Sequence, residues 1–93
     1  MVIGLLQLEL GVGDAMSLKD KRRVIKSLKD RLSHGRNISV AEVAALDEHR
    51  RGILGVAMVG NDTRYVEGAL SQLVDFVRGV PQVDLIDYQI DML

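Results

Sequence analysis

Hydrophobic and polar positions alternate with a period of two from Val2 to Leu10, placing Leu6, Leu8 and Leu10 on one face and Ile3, Leu5, Gln7 and Glu9 on the other. That is the pattern of a strand. Gly11-Val-Gly-Asp14 is the turn out of it. From Ser17 the spacing changes to three and four, and Leu18, Val24, Ile25, Leu28 and Leu32 form one buried side of a helix expected to run to about His34 and to end at Gly35. Ser17 is the expected N-cap, with Asp20 three residues on standing where a capping box more often has Glu or Gln. Asn37 to Leu46 reads as a second strand, Asp47 to Gly52 as a polar hairpin loop and Ile53 to Val59 as a third strand. Asn61-Asp62 offers a cap for a second helix carrying Val66, Ala69, Leu70, Leu73, Val74 and Val77, which Gly79 and Pro81 stop. Val83 to Met92 sets Asp87, Gln89 and Asp91 against Ile86, Tyr88, Ile90 and Met92, a fourth strand.

The order strand-helix-strand-strand-helix-strand predicts an α+β, ferredoxin-like βαββαβ domain, with a four-stranded antiparallel sheet in the order 4-1-3-2 and both helices on one face. The first and third strands, central in that order, are the most apolar. The fourth, at an edge, carries Asp84, Asp87 and Asp91, which discourage stray pairing. Both alternating sets of the third strand are apolar, more than a sheet open to water on one side needs. A homodimer is therefore expected, face to face or through the second strand, whose only charge is Glu42; the alternatives are that the loop between the second and third strands or the termini fold over the face, or that the chain is an interaction module whose open sheet face meets a different protein.

At 93 residues the chain reads as one domain, and its 47% hydrophobic content supplies the core. The absence of Cys removes disulfides and thiolate chemistry and points to the cytoplasm. The apolar run Met1 to Leu8 is too short to cross a bilayer and lacks a basic flank, so no membrane association is expected. Charge changes the picture further. The net charge is −1, yet residues 17 to 36 hold eight basic side chains against two acidic, and the rest of the chain four against eleven. Such a distribution orients a polyanion on one ridge of an otherwise acidic body.

At 100° per residue, Lys19, Arg22, Arg23, Lys26 and Lys29 share one solvent-facing stripe, opposite the leucines. Lys19, Lys21 and Arg22 sit in the first helical turn, where the helix dipole favours acids. Ser17, Lys19, Lys21 and Arg22 around free N–H groups form an expected phosphate site, the basis of a rival reading as a sensor of a phosphorylated metabolite. Lys21 has two readings: its wheel angle falls among Leu18, Ile25 and Leu28, so it either snorkels outward or pairs with an acid on the sheet. The candidate anion- or RNA-binding set is therefore Ser17, Lys19, Lys21, Arg22, Arg23, Lys26 and Lys29. The aromatics are Tyr65, Phe76 and Tyr88, the last two at expected core positions, so stacking platforms on the sheet are missing and RNA binding would rest on phosphates.

The remaining patterns exclude more than they suggest. Gly11-Val-Gly13 lacks the third glycine of a dinucleotide fingerprint, with Met16 in its place, and is a turn. His34 suits the end of the first helix as a cap, and His49 lies in a mixed-charge loop with no partners for a metal. Ser17 has no base beside it, and no carboxylate pair sits in an apolar surround. No catalytic residue, cofactor or metal is expected, and the protein is read as not an enzyme.

Ser17-Leu-Lys-Asp-Lys-Arg-Arg-Val-Ile-Lys-Ser-Leu28, Asn37-Ile-Ser-Val-Ala-Glu-Val43 and the Gly55 to Asp62 run resemble the bacterial YlxP-like family over nearly the whole chain. The resemblance implies a ferredoxin-like fold and no settled activity. Because the family's genes tend to travel with translation and ribosome-maturation genes, it also implies ribosomal RNA or a ribosomal subunit as partner. Ser17, Lys19, Lys21 and Arg22 are the positions that match its motif. The loop from Leu46 to Gly52 departs from the family by being short and without an aromatic.

Overall fold

A computed structural model describes residues 1–93. The chain runs β1 (Val2–Gly11), α1 (Leu18–Ser33), β2 (Ser39–Ala44), β3 (Arg51–Gly60), α2 (Thr63–Arg78) and β4 (Asp84–Met92). All strand pairs are antiparallel and the sheet order is β2-β3-β1-β4, the ferredoxin-like arrangement that the pattern predicts. The two long, apolar strands β1 and β3 take the centre, where both of their edges are hydrogen-bonded.

One face of the sheet carries the core. Leu6, Leu8 and Leu10 of β1 and Leu54, Val56 and Met58 of β3 meet Ile25, Leu28 and Leu32 of α1 and Val66, Leu70, Leu73, Val74 and Val77 of α2 in one cluster. α2 lies over β1, β3 and β4, while α1 sits toward β2. The depth at which α2 seats depends on Gly4 and Gly60. A Cβ on Gly4 would lie 2.6 Å from Val66 and 2.8 Å from Leu70, and one on Gly60 2.7 Å from Val66.

The opposite face is uncovered, and Leu5, Val43 and Val59 are 37%, 54% and 49% exposed there. Leu5, Ala41, Val43, Gly55 and Ala57 line a shallow depression of ≈ 380 Å³ on it. The two borders of the sheet differ. β4 presents Asp84, Asp87 and Asp91, all exposed, whereas the one charge of β2, Glu42, is turned inward and paired.

β2 is shorter than the expected Asn37 to Leu46. A bulge between Glu42 and Ala44 breaks its register with β3, and Ala45 adopts φ 59°, a left-handed conformation that a strand cannot contain. Tyr88 departs from its expected core position. It is in register with Leu8 and so on the helix-covered face, but as part of the edge strand it is 43% exposed, with the Arg78 guanidinium 5.6 Å above its ring. No helix is long and apolar enough to cross a membrane.

Candidate functional site

α1 begins as its sequence requires. Ser17 in extended backbone accepts a hydrogen bond from the Asp20 N–H through its Oγ, and Asp20 Oδ2 accepts from the Met16 N–H at 3.1 Å. The reciprocal arm thus reaches one residue further back than in the usual capping box, whose carboxylate binds the N-cap's own amide. An anionic side chain already occupies this helix N-terminus. The last turn closes with Gly35 at φ 68°. Arg36, rather than the side chain of His34, serves the terminal carbonyls, donating to Arg31 O and Leu32 O at 3.0 Å each, while His34 contributes its backbone N–H to Asp30 O.

The predicted stripe is present. Lys19, Arg22, Arg23 and Lys26 are exposed and Lys29 is half-buried. Of the five, only Lys26 has an acid within ion-pair distance, Asp30 one turn on at 2.9 Å. Lys19, Arg22, Arg23 and Lys29 have none, which leaves four uncompensated cations along one helical face.

Lys21 does not join them. Its side chain is wholly buried, its Nζ donates to Ala45 O at 2.8 Å and ion-pairs with Glu42 of β2, and of the two sequence readings the pairing with an acid on the sheet is the one realised. Lys21 therefore leaves the anion-binding set. Glu42 Oε2 is itself buried and has no neutral hydrogen-bond donor, so the ammonium is its partner. Gly52 lies beside this pair: a Cβ placed there would press on Ile25 at 3.2 Å and meet the Lys21 stem at an ordinary 3.5 Å. The phosphate site expected at Ser17 loses Lys21 to the interior and has Asp20 across its entrance.

Arg31 and Arg36, outside the predicted stripe, meet a ring that sequence spacing does not connect to them. Their guanidinium carbons stand 5.3 and 5.2 Å from the centroid of Phe76 on α2, which is half-buried beneath them. These contacts extend the basic surface from α1 onto the end of α2. At the far side of the sheet, Arg51 bridges Glu9 at 2.7 Å and Glu48 at 3.2 Å, and the hydrogen bond to Glu9, foremost, raises its pKa above the ordinary arginine value. Its charge is thus spent within the acidic body. No group of three or more His, Cys, Asp or Glu side chains is arranged to hold a metal ion, and His49 stands exposed in its loop.

Residues 3–90 match the sequence model of a family described as Protein of unknown function (DUF503). The chain is also similar to the Uncharacterized protein YlxP of Bacillus subtilis (strain 168), at 30% identity over 83 residues that cover 89% of this chain and 90% of that protein.

Proposed function

The chain belongs to the DUF503 family of proteins of unknown function, and from that premise we propose that it is a non-enzymatic, cytoplasmic, RNA- or ribosome-associated protein that docks through the outer face of α1. The observation that carries this reading is the set of uncompensated cations Lys19, Arg22, Arg23 and Lys29 on a body that is otherwise acidic. Lys19 stands in the first turn, against the helix dipole, where it costs folding stability and is explained by an anion outside the molecule. A docked phosphate backbone offsets that cost. The rival reading, a phosphorylated metabolite held at Ser17, is weaker because the Asp20 carboxylate and the inward Lys21 remove the positive field that such a ligand needs.

Binding of a labelled ribosomal RNA fragment, followed between about 50 and about 200 mM salt, tests the proposal. The affinity should fall steeply with salt, and Arg22→Ala or Lys29→Ala should each reduce the slope by about one, with Ser17→Ala leaving it unchanged. A salt-independent affinity, or one lost on Ser17→Ala alone, rules the docking face out.

The uncovered sheet face supports a further proposal, that a second copy of the chain covers it, face to face or through β2. Exposed Leu5, Val43 and Val59 beside a border without free charge are what such an association would bury.

A further inference from the structure

Arg23, Ser27 and Arg31 are four residues apart in turn and lie on the flank of α1 that faces the segment joining α2 to β4. Together with Val24, Leu28, Val80 and Gln82 they line a cleft of ≈ 260 Å³. Its floor is apolar, with Leu28 and Val80 buried. Its two ends are cationic, about 12 Å apart along the helix at 1.5 Å per residue. Neither arginine has an acid within ion-pair distance, and neither the Ser27 hydroxyl nor the Gln82 amide makes a hydrogen bond within the protein. The Arg31 guanidinium carbon stands 5.3 Å from the centroid of the Phe76 ring, a contact that favours this position of the side chain.

We infer that this cleft receives one unstacked base of a single-stranded RNA segment, with the phosphates on either side of that base on Arg23 and Arg31. The inference rests on the RNA-docking reading of α1 and adds to it the form of RNA recognised. The volume is ample for one base. Val24, Leu28 and Val80 suit the faces of a base, Ser27 and Gln82 supply a hydroxyl and an amide for its edge, and the charges stand where a continuous backbone would enter and leave. The cleft also supplies, beside the basic ridge, an apolar contact for a base, made by aliphatic side chains and not by aromatic stacking.

Fluorescence anisotropy with a labelled single-stranded RNA of mixed sequence and with the blunt duplex of the same sequence tests this. Ser27→Leu fills the cleft without changing charge, at an exposed helical position where Leu is the better helix former. Gln82→Ala removes an edge contact at an exposed site, and Lys19→Ala with Arg22→Ala serves as a reference outside the cleft; thermal melts confirm that each variant is folded. Ser27→Leu should weaken the single strand about tenfold, equivalent to about 1.4 kcal/mol, with the duplex within about twofold. Gln82→Ala should act in the same direction, and the reference pair should weaken both RNAs alike. Equal effects of Ser27→Leu on the two RNAs, or none, overturn the cleft and leave docking by α1 standing. Failure of the unaltered protein to bind either RNA at low salt overturns both.

Discussion

Lys21 shows how a motif cation can serve the fold. A buried ammonium opposite a buried carboxylate is tolerated only while both are present, because removing one leaves the other desolvated and unpaired. Lys21→Met should therefore cost about 3 kcal/mol of unfolding free energy in urea titrations, and adding Glu42→Leu should recover most of the loss. A single variant as stable as the parent would show that the pair contributes nothing. Gly4 is constrained from the other side of the core, by Val66 and Leu70 within 2.8 Å of where a methyl would stand. Gly4→Ala should lower stability by about 1 to 3 kcal/mol, read in the same titration, as overpacked cores do. The wheel angle of Lys21 made its inward position legible in the sequence. Its partner was not, because Glu42 reaches it only through the packing of α1 on β2.

The proposed docking of RNA on α1 sets stability against binding, and the conflict can be measured. Lys19→Glu replaces a misplaced cation by an acid in the first turn and should raise stability by roughly 0.5 kcal/mol while weakening RNA binding. A loss of both would mean that Lys19 supports the helix and not a ligand. α1, α2, β1, β3 and β4 fall within a residue or two of where the hydrophobic period places them, because each buries one continuous face. β2 does not. Its ends are set by the bulge after Glu42 and by the left-handed Ala45, local geometries that alternation does not encode. The stripe from Lys19 to Lys29 was equally legible, being a property of a single helix. The contacts of Arg31 and Arg36 with Phe76 were not, since they join the end of one helix to another across the fold.

The molecule as a whole has one covered and one bare sheet face, and its state in solution reports on the bare one. Light scattering after gel filtration should give a dimer. Leu5→Lys, at the middle of the bare face, should dissociate a face-to-face pair and spare one joined along β2, whereas Ala41→Lys with Val43→Lys should dissociate either. A monomer at the outset, or a dimer indifferent to both changes, removes the second copy from the account. The unequal borders then set a limit on size. With Asp84, Asp87 and Asp91 repelling any strand that approaches β4 and no free charge along β2, only one side of each subunit is receptive. Joining two copies there uses up both receptive sides, so strand-by-strand growth stops at the pair and an extended filament has nowhere to add its next unit.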